Sequence, residues 1–204
     1  MVKFVIVRRV YVHKSIEKEF TEKLIKAMSA VTYGDPLKEE VDMGPLINQA
    51  AISHVQSLVD SAKEAGATIA LGGQLSSRVD GFYYEPTVIT NVKQDMRIIK
   101  EEIFGPVLPI VTFETFDEAI EMANDSEFGL TSSIYTQNID LAMRACKEIK
   151  FGETYINREN FEAMQGFHAG WRKSGIGGAD GKHGLEEFLQ TKVVYLQYDM
   201  NKQQ

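Results

Sequence analysis

The sequence predicts an α/β fold: a mostly parallel sheet with helices on both faces, followed by one further C-terminal strand. Three observations predict it. Extended β-branched runs alternate with segments whose apolar residues recur at helical spacing, which reads as strand–helix–strand units. The run Pro106 to Phe113 is almost continuously apolar, as in a strand covered on both faces. The chain has 204 residues, 44% apolar and 25% charged, enough for one good core or two small ones.

The elements follow in chain order. Phe4 to Val12 is rich in β-branched residues and predicts a strand. Ser15 is a candidate N-cap for a helix that turns Phe20, Leu24, Met28 and Val31 inward, and Gly34-Asp35-Pro36 stops it. Pro45 and Asn48 open a second helix with Ile52, Val55, Leu58, Val59 and Ala62 on one face and Gly66 at its end. Thr68 to Leu71 is a short strand closed by Gly72-Gly73, and Tyr83 to Thr90 is an extended run weakened by Pro86. A helical turn from Asp95 to Lys100 precedes the strand Pro106 to Phe113. Thr115 and Glu118 form a capping box for a helix through about Ala123. A loop with Gly129, a strand Thr131 to Tyr135, a helix Ile139 to Ile149 and a strand Glu153 to Ile156 come next. Asn157 to Asp180 is a long Gly-rich loop, and Gly181 to Leu189 a short helix. Thr191 to Tyr198 is apolar or aromatic on both faces, so as a strand it needs a partner sheet. Asp199 to Gln204 is a polar tail.

Composition narrows the function. A net charge of -7 with no basic cluster argues against nucleic acid. No apolar run is long enough for a membrane span, and Met1 to Val12 does not read as a signal peptide, so the expectation is a cytoplasmic chain. The single cysteine, Cys146, excludes an internal disulfide and reads as a buried small hydrophobe. Asn124-Asp125-Ser126 is a chance sequon.

The stretch Glu101-Glu102-Ile103-Phe104-Gly105-Pro106-Val107-Leu108-Pro109-Ile110 is the centre of interest. It places Glu102 and Phe104 at the mouth of a strand, where a sheet can present side chains to a ligand. A surface acid beside a core aromatic is the plainer reading. His168 lies in Gly166-Phe167-His168-Ala169-Gly170-Trp171-Arg172, within a loop whose length and aromatic content suit function better than disorder. A ring bonded within a packed loop and a substrate contact both fit it. His13 and His54 read as surface residues. His183 and Glu186 have H-x-x-E spacing but lack a third ligand, so no metal site is expected. Gly175-Ile176-Gly177 starts a dinucleotide fingerprint that Asp180 breaks, and the glycines to Gly184 read as a tight loop before a helix.

Glu-Glu-Ile-Phe-Gly-Pro-Val from Glu101 to Val107 resembles the E-E-x-F-G-P-V motif of the aldehyde dehydrogenase superfamily. The resemblance runs from about Val7 to Gln197, in family order. It includes Arg9-Val10-Tyr11-Val12, Met43-Gly44-Pro45-Leu46-Ile47, Gly72-Gly73, Tyr84-Glu85-Pro86-Thr87-Val88 and Asn124 with Phe128-Gly129-Leu130-Thr131. Phe151 to Asn157 and Phe161 to Gly181 look most like the lactaldehyde/glycolaldehyde dehydrogenase subgroup. The generic family loop K-x-S-G-x-G-R-E has Arg172 at its Lys position and Gly178-Ala179 at its R-E positions here.

The resemblance implies NAD(P)-dependent oxidation of a small hydroxyaldehyde such as lactaldehyde to its acid. A cysteine thiolate attacks the aldehyde, hydride passes to the cofactor, and water activated by a glutamate hydrolyses the thioester. It implies that Glu102 and Phe104 contact the nicotinamide-side ribose of NAD or NADP, and that His168 contacts substrate. Ungapped alignment of Arg9-Val10-Tyr11-Val12 puts Phe4 at the nucleophile position. The expectation is therefore a C-terminal piece: residues 1–188 a partial catalytic domain, 189–204 an oligomerisation strand and tail, and the NAD-binding domain, base and nucleophile absent. Such a piece would be inactive alone and bind cofactor weakly or not at all. It would self-associate through Thr191 to Tyr198 or join a separately encoded N-terminal half. The alternative is a non-catalytic assembly or binding module.

Overall fold

The computed structural model describes residues 8–77, 80–161 and 163–198. The expected strand residues Phe4 to Val7, the nucleophile-position Phe4 and the tail from Asp199 lie outside the described residues. The chain forms two compact units. One holds residues up to Ser126 together with Lys147–Ile149; the other holds Glu127–Cys146 and residues from Lys150 onward.

The first unit is built on a four-stranded sheet of order β1-β4-β3-β2. Its strands are β1 (Val10–His13), β2 (Thr68–Leu71), β3 (Thr87–Thr90) and β4 (Val107–Phe113). β1 and β3 run parallel to the central β4, with Val10 opposite Ile110 and Thr87 opposite Val107, while β2 is antiparallel to β3. Side chains alternate between faces with the strand period of two. Val12, Val88 and Ile110 meet Phe20, Leu24, Ile25 and Met28 of helix α1 (Glu17–Ser29). Tyr11, Ile89, Val107 and Val111 turn the other way, toward Ile52, Val55, Leu58, Val59 and Ala62 of α2 (Gln49–Glu64) and toward Ile98 and Ile99 of α3 (Arg97–Lys100). The five inward residues of α2 are those the periodicity selected, and all are buried. Burying each of the Ile, Val and Leu side chains among them contributes about 1.5–3 kcal/mol.

The helix ends show which local signals held. Asn48 caps α2, its side-chain oxygen accepting from Ala51 N–H at 2.9 Å. Gly66 follows at φ +95°, a left-handed conformation that glycine adopts without strain. Thr115 caps α4 (Phe116–Asn124), accepting from Glu118 N–H at 3.2 Å, while Glu118 accepts from Glu114 N–H at 2.8 Å. Ser15 is not the cap of α1. A 3-10 turn, Lys14–Ile16, intervenes, and His13 Nδ1 accepts from Ser15 N–H. α1 also ends at Ser29, ahead of the Gly34-Asp35-Pro36 stop.

The second unit pairs β6 (Thr131–Ile134) in parallel with β7 (Glu153–Ile156). α5 (Ile139–Glu148) runs between them in sequence. The stretch expected to be a long loop is tied down by short ladders. β8 (His168–Ala169) pairs antiparallel with β10 (Gly178–Ala179), and β9 (Trp171–Arg172) with β5 (Phe128–Gly129). α6 (Gly181–Glu186) follows. Residues 191–198, expected as a last strand, join no ladder among the described residues. Val193, Val194, Tyr195, Leu196 and Tyr198 are exposed there. A strand exists only with a pairing edge, and the described chain offers this segment none.

Candidate functional site

The loop between α3 and β4 is held from four sides. Arg97 and Glu101, one helical turn apart, form a two-pronged ion pair at 2.7 and 3.2 Å, and that bond holds the Glu101 carboxyl below its ordinary range. Arg8 Nε donates to Glu101 C=O at 3.0 Å and a terminal nitrogen donates to Lys100 C=O, satisfying carbonyls that the end of α3 leaves open. Burial pushes the Arg8 guanidinium down to about 10, so it stays charged at neutral pH. Ile103 is 2% exposed and anchors the loop in the core. Gly105 crosses α2 so closely that a Cβ there would lie 2.6 Å from Val55 Cγ2.

With Ile103 turned inward, its neighbours are left outside. Phe104 is 61% exposed, which rules out the core-aromatic reading. Its φ is +48°, a left-handed conformation that costs a bulky L-residue about 1–2 kcal/mol. Strain of this kind persists only where surrounding contacts enforce it, and it concentrates at ligand sites. Glu102 is half-buried, and its carboxylate makes no hydrogen bond among the described residues. Its backbone carbonyl accepts from His54 Nε2 on α2 at 2.8 Å. His54, read from sequence as a plain surface residue, therefore holds the peptide beside the candidate acid. The Glu102 carboxylate, which feels the charge of Arg8 but accepts no side-chain hydrogen bond among the described residues, stands beside an exposed ring; its two oxygens could accept from a vicinal diol while the ring packs on an apolar face.

In the second unit His168 is bonded through Nδ1 to Glu153 Oε1 at 2.7 Å. Tyr155 O–H donates to the other carboxylate oxygen at 2.5 Å. Glu153 is 13% exposed at its side chain and His168 33%. His168 is thus tied to strand β7 and not within its own loop, and its second nitrogen makes no hydrogen bond among the described residues. The loop is shaped by main chain. A Cβ at Gly152 would collide with Ala169 C=O, and one at Gly178 with His168 C=O.

Cys146 is exposed, not buried. It lies on α5 next to buried Ala145 but about 100° further round the helix, off the inward face. His183 Nδ1 lies 3.8 Å from Glu186, and among the described residues no cluster of three or more metal-ligating side chains occurs. Asn124 of the sequon donates to Glu148 C=O at 2.8 Å, a structural bond. No helix among the described residues is long and apolar enough to cross a membrane.

Comparison with known proteins identifies the family. The model of the aldehyde dehydrogenase family matches residues 5–194. Lactaldehyde dehydrogenase of Escherichia coli (strain K12) is 62% identical over 190 residues, covering 93% of this chain and 40% of the relative. 3,6-Anhydro-alpha-L-galactose dehydrogenase of Vibrio sp. (strain EJY3) is 42% identical over 194 residues, covering 94% of this chain and 40% of the relative. Among solved structures, E. coli lactaldehyde dehydrogenase superposes with a TM-score of 0.90 at 62% identity, over 94% of this chain and 40% of that one. A 3,6-anhydro-L-galactose dehydrogenase in complex with NAP gives 0.89 at 44% identity, over 93% and 40%. The chain spans about 40% of the length of the curated relatives it matches. With the matched segment covering nearly all of its residues, the chain belongs to the aldehyde dehydrogenase family.

Proposed function

We propose that this chain is the C-terminal part of an NAD(P)-dependent aldehyde dehydrogenase that oxidises a small hydroxyaldehyde, such as lactaldehyde, to its acid. The observation that carries the proposal is the outward presentation of Glu102 and Phe104 on a loop that Ile103, Gly105 and His54 hold in place. Glu102 accepts hydrogen bonds from the ribose hydroxyls at the nicotinamide end, and Phe104 packs its exposed ring beside them. The cofactor, when bound, takes up the hydride. His168 orients the substrate. The likeness to lactaldehyde dehydrogenase supports the substrate class, and the similar structures solved with NAP or NAD+ support the cofactor. By itself the chain is expected to bind NAD weakly and to produce no NADH.

The test is a hybrid in which this chain replaces the matching part of E. coli lactaldehyde dehydrogenase. The hybrid should reduce NAD with lactaldehyde, and Glu102→Ala should raise KM for NAD about tenfold, the scale of one lost charge-assisted hydrogen bond. A folded hybrid without lactaldehyde oxidation, or a KM for NAD indifferent to both Glu102→Ala and Phe104→Ala, overturns the reading.

Self-association through Thr191 to Tyr198 belongs to the same proposal. The exposed Val193, Val194, Tyr195, Leu196 and Tyr198 support it, because a contiguous apolar run on a sheet-forming segment favours a partner edge. A separately encoded N-terminal half would be an alternative partner. A monodisperse monomer by light scattering at high concentration would remove the self-association.

A further inference from the structure

We infer that Glu153 and Tyr155 lock the ring of His168 so that Nε2 becomes a fixed hydrogen-bonding point selecting aldehydes that carry a hydroxyl group. This rests on the substrate-side role given to His168 above. Both supporting residues sit on β7 at positions two apart, so they share one face of that strand. Their backbone is fixed by the parallel ladder to β6, with Glu153 opposite Thr131 and Tyr155 opposite Ser133. His168 is fixed in turn by its ladder to β10, opposite Ala179. Three side chains on paired strands form one cluster, not a contact between mobile loops.

The hydrogen bonds decide the chemistry. Tyr155 O–H donates to Oε2 of Glu153, and the His168 ring meets Oε1. In the arrangement inferred here the Glu153 carboxyl accepts on both oxygens, which puts the proton of the His168 bond on Nδ1. That leaves Nε2 as the ring's remaining polar atom, without a hydrogen bond among the described residues. A neutral ring accepts there, and a protonated ring donates. A hydroxyl group serves either way, because it both donates and accepts. An aldehyde with a hydrogen in place of that hydroxyl would desolvate Nε2 and return nothing, which is how a site built for a hydroxyl rejects the analogue that lacks it. Glu153 is thus a positioning residue: it acts on specificity through His168, and it sits within the strand that also shapes the loop.

Two measurements test this. In the full 204-residue chain labelled with 15N, long-range nitrogen–proton correlation should show His168 with its proton on Nδ1, and Glu153→Gln should shift the ring toward the Nε2–H form. In the hybrid described above, Glu153→Gln should lower the ratio of kcat/KM for lactaldehyde over propanal about tenfold, and Tyr155→Phe about threefold, with KM for NAD unchanged, the scale of one or part of one hydrogen bond. A His168 ring protonated on Nε2 alone in the wild-type chain overturns the inference. So does a lactaldehyde-to-propanal ratio unmoved by Glu153→Gln in an active hybrid, and that outcome leaves the proposed function standing. A folded hybrid inactive on both aldehydes overturns the proposed function instead, and the ring measurement then still decides the positioning claim.

Discussion

Val55 and Gly105 should behave as one packing unit, and a double-mutant cycle measures it. Val55 is fully buried, and Gly105 lies where a Cβ would come within 2.6 Å of Val55 Cγ2 and 3.3 Å of Cγ1. Val55→Ala removes two buried methyl groups at about 0.8 kcal/mol each and leaves a cavity, for a total of about 2–3 kcal/mol. Gly105→Ala forces a methyl against a stiff β-branched side chain, which costs about 1–3 kcal/mol. The smaller unfolded-state entropy of alanine offsets about 0.4–1 kcal/mol of that. Independent effects would sum to about 3–5 kcal/mol. In the double variant the new methyl occupies the space that Val55 vacated, so the loss should be only about 2 kcal/mol and the coupling about 1–3 kcal/mol. Urea unfolding followed by circular dichroism reads all four corners of the cycle. Additivity within about 0.3 kcal/mol would show that the Gly105 loop does not rest on α2, and the account of how Glu102 and Phe104 are presented would fail.

Two further outcomes are expected. His54→Leu removes the donor to the Glu102 carbonyl, worth about 1 kcal/mol, so amide exchange at Ile103 and Phe104 should quicken about fivefold; His54→Gln, which keeps a donor, should restore most of the protection, and equal exchange in both variants would dismiss His54 as a support. The Asp125 carboxyl is held below its ordinary 3.8 by hydrogen bonds from Lys100 and then Gln94. A depressed folded pKa stabilises above pH 3.8 and is lost as pH falls through the lower folded value, so Asp125→Asn should flatten the acid limb of stability below about pH 4 by about 0.5 kcal/mol, a figure reduced for solvent screening because the pair is half exposed. Identical acid limbs for the two proteins would contradict it.

Much of the first unit was legible because its signals are local. The α2 face, the Asn48 cap, the Thr115 cap and the bounds of β2 follow from period and capping chemistry within a few residues. The capped motif around Glu102 was legible as a stretch but not as a geometry: nothing in the residue order announces φ +48° at Phe104 or the 2.8 Å bond from His54, which spans 48 positions to a backbone carbonyl. The second unit hid more. Its two-residue ladders join positions 128 and 172 or 168 and 179, and two residues are too few to show a period. Cys146 was misplaced for another reason. The inward pair on α5, Ala142 and Ala145, excludes it, but the general tendency of free cysteine to be buried outweighed that local geometry. Glu153 carried no visible motif either. Its proximity to His168 comes from the pairing of β7 and β8 with different neighbours, and only the ladders bring the two together.

The close passage of Gly152 under the Ala169 carbonyl has a consequence for how this protein can change. What fastens the loop around His168 there is peptide against peptide, and peptides are common to every sequence. Met164 and Trp171 expose much of their side-chain surface along the same loop. Their side chains can vary while the path of the chain is kept. A library that diversifies those two positions and leaves Gly152 and Gly178 untouched would sample new surfaces on an unchanged frame, whereas the reverse choice would spend its diversity on chains that cannot close the loop.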